Sequence, residues 1–576
     1  MGSYSYCASS KQLVSWYSGS TNLELDANLE PTAADHGDVL YNIGKSETVG
    51  RFMVAARDIS PGEVIFTDQP AVIGPDNSAL PMCLVCWRKI MSYYTCPGCG
   101  WPLCGEKCRD TKSHQRECSF FQERGKKVEI SGFGKPNRIY DAVLPLRILL
   151  LKLSDPRVYR LVCLLMDHHE DQSNSQKKRF QVISDLIRNS WGFNRDFSNS
   201  EVKHVLGILS VNSFVVHDGA EDGMDLIGLY PWTSLMSHAC IPNVKIITRD
   251  DFSYVCEATV PIAAGSEIVT SYHHYYFHLF GTMYRRLDIK KTWSFDCICQ
   301  RCQDKTESGT FVSGVNCDAC KYSYLLPTQP LQYNSDWSCL DCNHTLPGQV
   351  ISERLDKLEL EIESVPKNEP ERLENLLRRM RYVLHENHYL ITDTKRKLID
   401  IYGHKPGFEL EKLSKEILEK KIDYCDHLLS LASRLSPGQS EMKGYLLWER
   451  HGCTLRLAQW DWIRMKCTTI QYVNSLQAVC ASLREIISIL GPIRVDSVEG
   501  GNGVKVGEED DLYLHLHFEG RKGEKPFAVQ CSAKHALEEI EKQLETLEKQ
   551  TLYRDTAITL RQSRTETRFN RRSIAL

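Results

Sequence analysis

Cysteine and histidine carry the first chemical signal in this chain. Residues 83–118 read Cys83-x2-Cys86-x9-Cys96-x2-Cys99-x4-Cys104-x3-Cys108-x5-His114-x3-Cys118, seven thiols and one imidazole in 36 residues. Thiolate and imidazole in groups of four suit tetrahedral Zn2+, and two closed sets of this kind are structural sites. Alternate pairing is the usual topology for eight ligands in so short a span. It assigns Cys83, Cys86, Cys104 and Cys108 to one ion, and Cys96, Cys99, His114 and Cys118 to the other. A segment this short builds no core of its own, so metal supplies folding energy on the order of 10–16 kcal/mol. A second group, Cys297-x-Cys299-x2-Cys302, offers three ligands and needs a fourth, for which Cys240 is the nearest unpaired candidate. A third, Cys317-x2-Cys320-x18-Cys339-x2-Cys342, has zinc-ribbon spacing, with His344 as a spare.

These clusters hold 15 of the 23 cysteines; the other eight are scattered singly, as core cysteines are. The N-terminus MGSYSYCASSKQL has no apolar signal-peptide core, and Tyr6 spoils a myristoylation signal. The expected compartment is intracellular, cytoplasmic or nuclear. Thiols there favour metal over disulfides.

The elements that must hold these groups follow from texture. A length of 576 residues asks for three or four domains, and 42% hydrophobic with 25% charged residues is a globular balance. The net charge, 70 − 74 = −4, argues against a globally basic nucleic-acid binder. No run of about 18 uncharged apolar residues occurs, which predicts no transmembrane span. Residues 1–45 are rich in Ser, Asn, Asp and Gly and read as poorly ordered. Strand texture then runs over Arg51–Ala56 and Glu63–Thr67, around Ser60-Pro61-Gly62, and returns at Val244–Arg249, Ser253–Thr259 and Glu267–Ser271. Between lie the first cysteine cluster and helical stretches at Leu144–Leu153, Val158–Met166, Lys178–Arg188 and Val202–Leu209. One sheet domain is interrupted by insertions.

Beyond about residue 350 the apolar period becomes 3.6. Leu373, Leu376, Leu377, Met380 and Leu384 form one stripe; Leu413, Ile417, Leu418, Ile422, Cys425, Leu428 and Leu429 form another. This predicts an array of six or seven helices. Residues 496–525 read as a loop, about 533–550 as a charged amphipathic helix, and the rest as a basic tail.

The first cluster resembles the MYND zinc finger in all eight ligands. The stretch from Gly228 through Ser237-His238-Ala239-Cys240 to Asn243, the later Gly265–Tyr272, and Trp293-Ser-Phe295-Asp-Cys297 resemble a SET domain with its post-SET segment. A SET sheet split by a MYND finger is similar to the SET-and-MYND (SMYD) lysine methyltransferases, especially their arthropod branch. The fold class implied is multidomain α+β. Its parts are a SET N-terminal segment (46–82), the finger (83–118), a helical insert (119–209), the SET core (210–275) and a post-SET segment (276–304). A zinc ribbon (305–348), an all-α helical-hairpin domain (349–495) and a C-terminal stretch (496–576) follow.

The resemblance implies methyl transfer from S-adenosylmethionine to a protein lysine, histone or otherwise. Tyr272 occupies the catalytic tyrosine position. Gly50, Arg51, Phe52, Asn212, Ser234, Met236, Ser237, His238 and Tyr272 match cofactor-binding positions, and Trp293 and Phe295 match aromatics that cover the adenine and shape the lysine channel. The implied cofactors are S-adenosylmethionine and zinc: two ions in the finger, one post-SET, one in the ribbon. MYND fingers commonly bind proline-containing peptides; membrane and direct nucleic-acid partners are not expected.

The chain departs from the family in three places. Ser237 and Ala239 stand where the family has Asn and Ser in Asn-His-Ser-Cys, and Phe52 stands where its Gly-x-Gly loop has the second glycine. These departures leave open a second reading, an inactive SET-MYND scaffold that recruits protein partners in transcriptional regulation.

Overall fold

A computed structural model describes residues 39–46, 50–76, 80–90, 94–130, 137–168, 172–216, 226–249, 251–273, 275–490 and 532–547. The expected loop over 496–525 and the basic tail lie outside these residues. Internal contacts divide the described residues into two compact units: those up to 273 with 284–299, and 275–283 with 300–490 and 532–547.

Among the described residues the first unit contains three small sheets. One has the order β1-β2-β10-β7, formed by Tyr41–Ser46 (β1), Gly50–Ala55 (β2), Glu267–Thr270 (β10) and Ser237–His238 (β7). The β10–β7 pair is parallel, with Val269 opposite Ser237 and Thr270 opposite His238. A second sheet joins Val64–Asp68 (β3), Tyr254–Ala258 (β9) and Val244–Thr248 (β8). The third joins Val72–Pro75 (β4), Leu226–Leu229 (β6) and Ser213–Val216 (β5).

The first strand corrects the expectation of a poorly ordered stretch up to residue 45. Six backbone partners on β2, from Tyr41 with Ala55 to Ser46 with Gly50, hold it in an antiparallel ladder. Its sequence, YNIGKS, has no apolar alternation. Pairing with a neighbour decides its structure.

Helices fill the insert. Lys112–Glu123 (α1), Val143–Ser154 (α2), Pro156–Cys163 (α3), Asn174–Asp185 (α4) and Asn199–Asn212 (α5) start at side-chain caps where the sequence supplies them. Ser173 with Gln176 and Ser198 with Glu201 make capping boxes, and Asp155 caps α3 ahead of Pro156. The apolar faces share one core with the sheets and with the cysteine-rich segment. Trp101 of that segment packs on Tyr140 and Trp191, and the Tyr140 hydroxyl donates to the Met82 carbonyl at 3.0 Å. The segment is therefore stabilised by burial against the insert as well as by its ligand sets. Helix α6 (Thr282–Trp293) leads the chain to the second cysteine group.

The second unit begins with a four-stranded antiparallel sheet in sequence order: Val315–Asn316 (β11), Tyr324–Pro327 (β12), Trp337–Cys339 (β13) and Thr345–Leu346 (β14). Six helices follow: Gly348–Glu363 (α7), Pro370–Met380 (α8), Tyr389–Ile401 (α9), Lys415–Leu435 (α10), Glu441–Ile463 (α11) and Thr469–Leu490 (α12). A further helix spans 532–547. The expected stripe from Leu373 to Leu384 is buried throughout. On α10 the buried face also takes in Lys421 and Tyr424. By length and composition α12 is the one described helix apolar enough to cross a membrane, but its Leu476, Val479, Leu483 and Ile486 form a core with Ala533 and Ile540.

Candidate functional site

Three segments that carry expected site residues lie on neighbouring strands. Strand β10 sits between β2 and β7, so residues 50–52, 237–238 and 270–272 are brought to one region by a single sheet. Tyr272 follows β10 directly. Its hydroxyl donates to the Met236 carbonyl at 2.8 Å, and its main-chain N–H donates to Nδ1 of His238 at 3.0 Å. Burial, with Glu267 adding to it, pushes the phenol up to about 12. The group is a neutral donor at physiological pH and no base.

Two aromatic rings wall this tyrosine. The Trp293 ring centroid lies 5.4 Å from that of Tyr272, and Phe295 stands edge-on at 6.2 Å. Trp293 ends α6, and Ser294 between the two rings has φ 62°, a left-handed backbone that L-residues adopt at a cost. This turn lets both rings face one partner. Arg286, 4% exposed, holds the turn by donating to the Cys297 carbonyl at 3.0 Å and to Asp296.

The other sequence-named residues fall into two groups. Met236 is fully buried, and Ser234 donates to the Tyr230 carbonyl at 2.8 Å. Arg51 and Asn212 both engage the loop after α3: Arg51 donates to the Leu164 carbonyl, and the Asn212 amide to Met166 at 2.8 Å and Ile208 at 2.9 Å. Gly50 takes φ 71°, and a Cβ there would meet nothing within 4 Å. Glycine is required at Gly50 for its backbone angle rather than for space. Phe52 is buried over Gly44, its partner across the β1–β2 ladder; a Cβ on Gly44 would come within 2.6 Å of the ring. The glycine on the neighbouring strand therefore makes room for the benzyl group.

Two polar side chains in this region have no protein partner. The Ser237 and Ser271 hydroxyls are buried and unbonded, on strand β7 and just after β10. Buried hydroxyls without a partner cost about 1–3 kcal/mol, so this pair marks a place where a polar ligand fits.

Residues not named as site residues from the sequence build the supports. Asp68, at the end of β3, accepts from the Trp232 and Thr233 N–H groups and the Thr233 hydroxyl, at 3.0, 2.7 and 2.9 Å. It caps the turn that delivers Ser234 and Met236. Asn243 donates to the Glu267 carbonyl and accepts from the Val269 N–H, at 2.8 and 2.9 Å, which ties the loop after Cys240 to β10. Asp68 is not distinguishable from a surface turn residue in sequence, whereas Asn243 ends the stretch that resembles a SET domain.

The cysteine groups assemble as spaced. Cys83, Cys86, Cys104 and Cys108 bring their sulfurs within 4.8 Å of one another, as do the ligand atoms of Cys96, Cys99, His114 and Cys118. Cys317, Cys320, Cys339 and Cys342 do the same in the second unit. In the first unit Cys240 Sγ lies 4.0 Å from Cys297 Sγ, and Cys299 belongs to the same group. These clusters are suited to zinc. Four of the five Cys-x2-Cys turns, those of the first and third clusters, have a left-handed residue directly after the second cysteine: Trp87, Gly100, Lys321 and Asn343. The first three donate their N–H back to the first cysteine's carbonyl at 2.8–3.0 Å, which folds both sulfurs to one side. Thr111 caps α1 by accepting the His114 N–H, so His114 and Cys118 share a helical face one turn apart.

A family model described as SET domain matches residues 50–273. Over these residues the chain is similar to SET domains. Among curated proteins it is similar to SET domain-containing protein SmydA-8, isoform A, of Drosophila melanogaster, 29% identical over 55% of this chain and 68% of that protein. It is also similar to histone-lysine N-methyltransferase SMYD1 of Homo sapiens, 24% identical over 50% of this chain and 61% of that protein. Histone-lysine N-methyltransferase ASHR1 of Arabidopsis thaliana is 26% identical over 49% and 60%. The matched SET domain spans β2 to Tyr272 and His273, so it ends on the residues that close the aromatic site.

Proposed function

We propose that this SET-domain chain is an S-adenosylmethionine-dependent protein-lysine N-methyltransferase. The observation that carries the reading is Tyr272: a neutral, buried phenol fixed at both ends and walled by Trp293 and Phe295. S-adenosylmethionine supplies an electrophilic methyl on a sulfonium. Displacement requires a neutral amine, and an ordinary lysine titrates near 10.4. The rings around Tyr272 desolvate the amine and lower its pKa. Because the Tyr272 proton is directed at the Met236 carbonyl, its oxygen lone pairs are left to orient the incoming amine.

The Ser237 and Ser271 hydroxyls, with Asn212 Oδ1 and the Arg51 segment, would hold the polar part of the cofactor, and Trp293 and Phe295 its adenine. The four ligand sets read from the sequence would hold structural zinc. The cysteine-rich segment 83–118 would act as a MYND module for peptides of partner proteins, in the cytoplasm or nucleus.

One observation favours the scaffold reading instead. Main-chain carbonyls of the 164–166 loop already engage Arg51 and Asn212. Calorimetric titration of zinc-loaded protein with S-adenosylmethionine separates the two. Micromolar binding, followed by labelled methyl transfer to lysine-containing protein substrates, supports the enzyme. No heat and no thermal stabilisation at millimolar concentration overturns it.

A further inference from the structure

His238 was expected to touch the cofactor, yet both of its ring nitrogens are directed into the protein. Nδ1 accepts the Tyr272 main-chain N–H at 3.0 Å, and Nε2 lies 3.5 Å from Cys240 Sγ. The ring is buried. The first contact decides the chemistry of the second. A nitrogen that accepts an N–H carries no proton, so the ring proton sits on Nε2 and points at the sulfur. A protonated Nε2 cannot ligate a metal. His238, Cys240 and His273 bring their ligand atoms within 4.8 Å of one another and look like a metal set of their own. The tautomer makes His238 a donor to the Cys240 sulfur instead.

His273 completes the frame from the other side. Its Nδ1 pairs with Asp288 of α6 at 2.9 Å, its ring stands perpendicular to His238 at 5.1 Å, and it directly follows Tyr272. The main chain at Tyr272 is thus held by one imidazole that reaches Cys240 and by a second that reaches α6.

We infer that His238 is a positioning residue: its imidazole clamps the Tyr272 main chain to the Cys240 sulfur, and so makes the geometry of the reacting tyrosine depend on the cysteine group. Its kinetic consequence rests on the methyltransferase reading, whereas the clamp itself does not. Cadmium-113 put in place of zinc, with nitrogen-15-labelled histidine, reads the clamp without any turnover. The expected result is His238 in the Nε2–H form with no cadmium–nitrogen coupling. Coupling to His238, or the Nδ1–H form, overturns the inference.

Variants then test what the clamp does. In His238→Phe, hydrogen exchange at the Tyr272 amide should lose its protection while metal content and S-adenosylmethionine affinity stay within threefold. Methyl transfer should fall at least about tenfold in kcat with little change in KM, as expected for a small misplacement of a reacting group. His238→Asn puts a carbonyl oxygen near the Nδ1 position and should restore part of the amide protection and of kcat. An unchanged Tyr272 amide in His238→Phe with metal intact overturns the proposal. A lost amide clamp in a protein whose wild type transfers no methyl overturns the enzyme reading alone.

Discussion

The Tyr272 hydroxyl donates to the main-chain carbonyl of Met236, 2.8 Å away. A main-chain acceptor cannot be removed by mutation, so the orientation of the phenol is built into the backbone of the turn before β7. The role of the oxygen can therefore be tested by removing it. Tyr272→Phe keeps the ring against Trp293 and Phe295 and deletes only the orienting atom. Methyl transfer should drop by roughly 100-fold or more, with cofactor affinity changed by only a few-fold. Single-turnover rates and calorimetry on the same preparation check this.

The same phenol makes a pH prediction. Burial raises it to about 12, so it keeps its proton throughout the range in which the enzyme is assayed. The rate should rise with pH as the substrate amine loses its proton, and no descending limb from tyrosine should appear below pH 10. A kcat/KM profile over pH 7–10 is the measurement. A fall on the alkaline side in wild type that vanishes in Tyr272→Phe would refute the assignment of a neutral donor.

Much of this site was legible because its chemistry repeats in local sequence. Cys-x2-Cys spacing announced the cysteine groups, and Ser237-His238-Ala239-Cys240 and Tyr272 pointed to the segments that β7 and β10 bring together. What escaped is non-local. Asp68 gains its meaning only from a turn more than 160 residues later, and its sequence neighbours read as any strand end. Gly44 looked like part of a disordered stretch until β2 paired with it. The strands β4, β5 and β6 are four residues each, too short for a period to show, and ladder pairing alone defines them.

Asp68 gives the third prediction. Its buried carboxyl is raised to about 6, desolvation outweighing three hydrogen bonds. A carboxyl whose folded pKa exceeds its unfolded value makes the fold bind extra protons between about pH 4 and 6. Its contribution to stability is therefore fully present at the acid end and is lost as pH rises through 6. The stability of wild type relative to Asp68→Asn should decline from pH 5 to pH 7 and then level off. Metal loss at low pH affects both proteins alike and cancels in the difference. Paired denaturant titrations provide the test, and a flat difference would sink it.

Cysteine turns make the fourth prediction. Gly100 has φ 83° and its added Cβ would lie 2.2 Å from the Val128 carbonyl, whereas Gly62 has φ 82° and open space. Both glycines to alanine should pay the left-handed backbone penalty, about 1–2 kcal/mol. Only Gly100→Ala should also displace the loop after α1 and loosen the Cys96 set. A zinc-release assay against a chelator should show faster loss in Gly100→Ala and wild-type kinetics in Gly62→Ala.

The pairing of Gly44 with Phe52 makes the last prediction, and it bears on the departure that first put activity in doubt. The benzyl ring lies where a Gly44 Cβ would sit, so Gly44→Ala must push the ring off its seat. Overpacking of this kind costs about 1–3 kcal/mol. Phe52→Ala opens a space instead, at a cost of about 3–5 kcal/mol. Each change alone destabilises, yet in Gly44→Ala/Phe52→Ala the new methyl group enters the space the ring has left. The double variant should therefore be more stable than the sum of the singles implies, a coupling of about 1 kcal/mol or more. Thermal or denaturant unfolding of the four proteins measures it. Additive effects would mean that the ring does not rest on Gly44, and Phe52 would then return as an obstacle to cofactor binding. A positive coupling with undiminished S-adenosylmethionine affinity in wild type would show that the sheet absorbs this substitution and leaves the cofactor region clear.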